Sequence, residues 1–116
     1  MEFRVLNERT GDELAESAWL ANRPWSRMVG LLGRAGLADG RAIILQPADS
    51  IHTMFMRFSL DVLFLDKDRN VLKAAREMRP YRFARAKGAK EVVEMAAGCL
   101  PSDLVAGDHV RFEPRP

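Results

Sequence analysis

The stretch Ile51–Asp66, IHTMFMRFSLDVLFLD, limits the folds open to this chain more than any other. It is the longest apolar stretch that is also rich in aromatic and branched residues, so it has to supply the centre of a core. Leu60–Leu65 reads as a near-continuous apolar strand, and Ile51–Phe58 alternates as a half-buried one. Two polar residues interrupt the stretch. His52 is one of the chain's two histidines, and Asp61 is set between Leu60 and Val62.

The rest of the chain reads as strands and turns around that centre. Glu2–Leu6 alternates weakly and is expected to be a strand, followed by turn chemistry in Asn7–Asp12. Glu13–Ala21 could be a helix with a thin apolar face. We favour a strand there, paired with the first as a hairpin. Asn22-Arg23-Pro24 is a helix start, and Trp25, Met28, Val29, Leu31 and Leu32 form an apolar stripe ended by Gly33 and Gly36. Arg41–Gln46 reads as a buried strand closed by Pro47. Asp66–Asn70 is a turn returning as Val71–Met78, and Pro80–Gly88 is an irregular basic stretch. Glu91–Met95 is a further strand, Pro101–Val105 one helical turn, and His109–Glu113 the last strand. The expected fold class is α+β: mainly antiparallel β, a partly closed barrel-like sheet with one principal α-helix.

With 116 residues, 47% of them hydrophobic and 29% charged, the chain suits one soluble domain over residues 1–116. Its one cysteine, Cys99, excludes an internal disulfide and fits a reducing compartment. The N-terminal residues carry charges where a signal peptide needs an apolar run, and nothing approaches the ~18 apolar residues of a membrane span. The expectation is a cytoplasmic protein with no membrane partner.

Four motifs occur in order. They are R-x-x-GLL-x-R-x-x-L at Arg27–Leu37, SIHTMFMRFSLDVLFLD at Ser50–Asp66, EVVEMAAG at Glu91–Gly98 and GDHVRF at Gly107–Phe112. Together they resemble a bacterial and archaeal family, the domain of unknown function 192 family, also called uncharacterised protein family 0127. The resemblance covers nearly the whole chain from Pro24 to Phe112. It implies a small, mainly β domain and assigns no reaction. The chain is similar to the family at Arg27, Gly30, Leu31, His52, Thr53, Met56, Asp61, Phe64, Asp66, Glu94, Gly98, Gly107 and Asp108. It departs from it with Ala48 where relatives commonly have cysteine, Phe55 where they have glycine, and Ser59 where they tend to have proline. It also lacks the turn glycine that relatives carry at Arg69 or Asn70. Ala48 removes the thiol from any ligand or nucleophile role at that position.

The polar residues of the central stretch admit several readings. His52 could satisfy a buried carbonyl or Asp61 and specify the core. His52 and Asp61 could instead line a cleft with Thr53, Met56 and an arginine, Arg27 or Arg57, for a small ligand. An Asp–His pair could also tune the imidazole for acid–base catalysis, although no motif of known mechanism is present. His52, Met54 and Met56 at i, i+2 and i+4 are ligand types that suit Cu(I), but core filling is the plainer account of the methionines. No cofactor is expected.

A basic segment follows. Lys67, Arg69, Lys73, Arg76, Arg79, Arg82, Arg85, Lys87 and Lys90 face only Asp68 and Glu77, with Tyr81 and Phe83 among them. Arg79, Arg82 and Arg85 would carry nucleic-acid or anionic-partner binding. A solvated edge that discourages sheet-to-sheet association is preferred. The leading reading is a non-catalytic module for a small ligand or a protein partner, with a site around His52 and Asp61. Enzyme and nucleic-acid functions are the alternatives.

Overall fold

The computed structural model describes residues 2–21, 37–54 and 56–116. Nine strands occur among them: β1 Glu2–Asn7, β2 Glu13–Ala21, β3 Arg41–Leu45, β4 Ser50–His52, β5 Leu60–Leu65, β6 Val71–Met78, β7 Phe83–Arg85, β8 Glu91–Ala96 and β9 Val110–Pro114. Seven make one sheet in the order β6-β5-β8-β3-β2-β1-β9, and β4 and β7 make a separate two-stranded ribbon. Every neighbouring pair is antiparallel except β2 and β3, which run parallel. A parallel pair cannot be joined by a tight turn and needs a long crossover. Here the crossover comprises residues 22–40.

The sheet curls until its two edges touch at one end. Register shifts in β1 between Phe3 and Leu6, and in β5 at Leu60/Val62 and Phe64/Leu65, add twist where a flat sheet would splay. Asn70, just before β6, then bridges His109, just before β9. The Val71 N–H donates to Asp108 at 2.8 Å, Gly107 to Val71 at 2.8 Å and Val110 to Arg69 at 2.9 Å. The result is a half-barrel pinned at one end.

Alternation along each strand divides the core in two. Inside the curl lie Val5, Leu14, Ala18, Ile44, Leu63, Leu65, Val93, Met95, Val110 and Phe112. On the outer face Ile43, Leu45, Leu60, Val62, Phe64 and Val92 pack against Ile51, Met56, Met78, Ala86 and Ala89. All six residues of β5 are buried, because this strand has the core on both sides. Full burial of each such Leu, Val or Phe contributes about 2 kcal/mol. Leu100 and Leu104 insert into the interior. Arg76 on β6 holds their segment by donating to the carbonyls of Leu100 (2.9 Å), Pro101 (2.8 Å) and Leu104 (3.2 Å).

The α+β expectation is therefore corrected, while its mainly antiparallel, barrel-like part stands. Every regular element among the described residues is a strand, and they form a curled sheet. The helix expected from Asn22 lies outside the described residues. Pro101–Val105 is a turn closed by one bond, Leu104 N–H to Pro101 O at 3.2 Å, rather than a helical turn. The strand expected to reach Phe58 stops at His52. No helix among the described residues is long and apolar enough to cross a membrane.

Candidate functional site

The β4–β7 ribbon presents several polar and aromatic side chains to solvent. Its three residue pairs are Ser50 with Arg85, Ile51 with Ala84, and His52 with Phe83. Ile51 is buried and packs with Ala84 on the outer face of the sheet, so the pairs on either side of Ile51–Ala84 point outward. His52 and Phe83 thus stand side by side on an open face, and the Phe83 ring is 70% exposed. Tyr81, 54% exposed, and Met54, 39% exposed, flank them in sequence.

Thr53 explains why β4 ends where it does. Its hydroxyl donates to the Arg79 carbonyl at 2.6 Å and accepts from the Arg82 N–H at 2.8 Å. Its own N–H donates to Arg82 O (2.9 Å), and its carbonyl accepts from Tyr81 (2.9 Å) and Met56 (3.2 Å). A fully buried threonine bonded in this way is a clamp between the 50–58 segment and the 79–82 turn. It turns the chain, so the alternation assumed for a longer strand is lost. Met56 goes into the outer core, whereas His52 and Met54 stay in solvent. The His52, Met54 and Met56 set does not share one strand face. Among the described residues no group of three His, Cys, Asp or Glu side chains could hold a metal ion. His52 Nδ1 accepts the Met54 N–H at 3.3 Å. Arg57 is exposed. Arg27 lies outside the described residues.

Asp61 is not brought to His52. It pairs with Met95 across β5–β8 and faces the interior of the curl. There Oδ1 accepts from the Glu77 N–H (2.7 Å), and Oδ2 from Gly98 (3.0 Å) and Leu100 (3.0 Å). Three backbone amides are the partners that an embedded carboxylate needs. The sequence signal, an aspartate in an apolar strand, was sound; its partners are main chain.

Glu94 carries the opposite oddity. It pairs with Val62 and Ile43 and faces the outer core, opposite to Val93 and Met95. It is 7% exposed, and no ion pair or hydrogen bond reaches its carboxyl among the described residues. Burial alone pushes its carboxyl up to about 7. The alternation in EVVEM gives its direction correctly. What the alternation could not reveal is that both faces of β8 are covered.

The remaining family-like acids support turns. Asp66 accepts the N–H groups of Asp68 and Asn70, each at 2.9 Å, and these bonds hold its carboxyl below the usual range. Asp108 accepts from Asn7 (3.0 Å), Arg9 (2.6 Å) and Val105 (3.0 Å); the Arg9 guanidinium first, then the Val105 amide, lowers its pKa strongly. Burial and nearby Asp39 push the Cys99 thiol up, away from a reactive thiolate. Arg79, Arg82 and Arg85 are all exposed around the ribbon, and residues 79–90 contain five Lys or Arg and no Asp or Glu. Sequence reasoning noted Phe83 among the basic residues but left β7 as irregular chain, and so missed its pairing beside His52.

Comparison with known proteins agrees with this architecture. The model of the DUF192 family, described as Uncharacterized ACR, matches residues 5–112. A UPF0127 protein of Thermococcus sibiricus is 41% identical over 66 residues, 55% of this chain; the match spans only 42% of that relative's length. The fold is similar to a crystal structure of a candidate transcription regulator from Sinorhizobium meliloti 1021, with TM-score 0.81 and 18% identity over 96% of this chain and 92% of that one. It is also similar to a protein of unknown function from Novosphingobium aromaticivorans DSM 12444, with TM-score 0.78 and 23% identity over 96% and 84% of the two chains. Likenesses at these identities concern the fold alone.

Proposed function

The chain belongs to the DUF192 family of uncharacterised proteins, and from that premise we propose that it is a non-catalytic binding module whose working face is the outward side of the β4–β7 ribbon. The observation that carries this reading is the exposed His52–Phe83 pair on a ribbon whose other side is sealed in the core. Aromatic residues, methionine and arginine are the types enriched at protein–protein contacts, and Phe83, Tyr81, Met54, Arg82 and Arg85 bring these together. The partner we infer is an acidic protein segment with apolar side chains. The apolar groups would cover Phe83, and carboxylates would meet the acid-free run of residues 79–90. His52 sits at the centre of this face, whereas Asp61 serves the fold beneath it.

The test is an amide-resolved NMR titration with a short peptide of alternating Asp/Glu and Leu, beside a thymidine oligonucleotide of equal charge. The peptide is expected to shift His52, Phe83 and Arg85, and Phe83→Ala to weaken it about tenfold. Shifts confined to other surfaces would refute the reading. A stronger, salt-steep response to the oligonucleotide at the same residues would replace the protein partner with single-stranded nucleic acid.

A further inference from the structure

At the pinned end of the half-barrel, away from the ribbon pairs, an open cleft of about 430 Å³ lies between the β5–β6 turn, the start of β8 and the start of β9. Its walls carry four permanent cations, Lys67, Arg69, Lys90 and Arg111, with His109, against two carboxylates, Asp68 and Glu91. One of those carboxylates is already committed. Glu91 is 5% exposed and accepts from Arg69 Nε (2.9 Å) and Gln46 Nε2 (2.7 Å). The pairing fixes Arg69 in place rather than cancelling its use. Its guanidinium carbon lies 4.0 Å from the centre of the Phe112 ring, and only Nε and one N–H of Nη2 are spent on Glu91. The remaining N–H donors of a planar fork are thus held ready at no further cost in side-chain entropy.

The other cations differ in commitment. His109 and Arg111 share Glu8 at 3.0 and 3.5 Å, and Arg111 also meets Glu113 at 2.9 Å. Lys67 and Lys90 have no carboxylate partner among the described residues. A clamped guanidinium flanked by two unpaired ammonium groups is suited to an oxyanion with more than one charge. A cleft of this size has room for a small organic body beside that group.

We propose that the cleft at the Asn70–His109 closure is a phosphate-binding site, in which Lys67, Arg69 and Lys90 receive the phosphoryl group of a small phosphomonoester or of free phosphate. Both sources present the same oxygens to the same donors. This site is distinct from the ribbon pairs, and the two readings have in common only Lys90, the last cation of the basic run.

The experiment is an NMR titration of the whole chain at constant ionic strength with inorganic phosphate and, in parallel, glycerol phosphate. Saturable shifts are expected at the amides of Lys67, Arg69, Lys90 and Val110 and at the Arg69 Nε–H. The K67A/K90A double variant, which leaves the Arg69–Glu91 pair intact, is expected to weaken binding about tenfold or more. Lys87→Ala, on the exposed turn after the ribbon, is expected to change it less than about twofold. Tighter binding of glycerol phosphate assigns a phosphomonoester, and equal binding assigns free phosphate. Failure of both anions to saturate, or equal weakening by Lys87→Ala and by the double variant, would overturn the proposal.

Discussion

Asp61 and Glu94 are near neighbours on adjacent strands, one residue out of step across the β5–β8 ladder, and both are buried. They point to opposite sides of the same sheet. Asp61 enters the interior of the curl, where the chain has turned three amides toward it. Glu94 enters the outer core, where Val62, Ile43 and Val92 surround it and no described group answers its carboxyl. The contrast teaches that burial alone does not make a carboxylate structural or functional. What matters is whether the covering layer brings donors. In the interior the turn Gly98–Leu100 brings two of those N–H groups, from Gly98 and Leu100, and Glu77 on β6 brings the third. On the outer face the layer includes Ile51, Met56 and Met78, which bring none.

The comparison can be broken most forcefully at Asp61. Asp61→Asn turns an acceptor oxygen into an NH₂ facing main-chain donors, and we expect a loss of about 3–5 kcal/mol in urea unfolding. A loss under about 1 kcal/mol would mean that the amide cage does not hold the fold. Glu94 should respond in the other direction. Its folded carboxyl titrates near 7 and its ordinary value is 4.5, so between those pH values the folded chain keeps a proton that the unfolded chain has released. Stability therefore falls as pH rises through that window, by about 3 kcal/mol in all, and is flat on either side. Glu94→Gln should leave stability nearly unchanged at pH 4.5, raise it at pH 8, and flatten the slope between. A slope that survives the substitution would place the titration elsewhere. The smallest effect belongs to the layer that covers the outer face. Thr53→Val removes one hydroxyl from two backbone partners, at a cost of about 1–2 kcal/mol. It should speed amide exchange at Arg82 more than anywhere in the seven-stranded sheet.

Strand positions were largely legible because alternation and turn residues are local signals. Leu60–Leu65 and Val71–Met78 occur with the bounds read from sequence, and the Glu2–Leu6 and Glu13–Ala21 hairpin is present with one residue more in β1. The barrel-like curl was legible too. The site was less so, for two physical reasons. Alternation predicts a direction but not what lies over it, so Asp61 and His52 could be placed on strands yet not on opposite sides of a sheet. Thr53 also ends β4 through bonds to residues 79–82, which no local pattern contains. The same bonds create the short β7, whose three residues are too few to announce themselves.

The pairing of β1 with β9 also bears on how the protein is made. Phe3 lies opposite Pro114 and Val5 opposite Phe112, so the edge of β1 waits for the last strand. During synthesis the β1–β2 and β5–β6 hairpins can form as they emerge, but β1 keeps one row of N–H and C=O groups open until β9 has left the ribosome. Slow translation between β2 and β9 would lengthen the time for which that edge can join a neighbouring nascent chain.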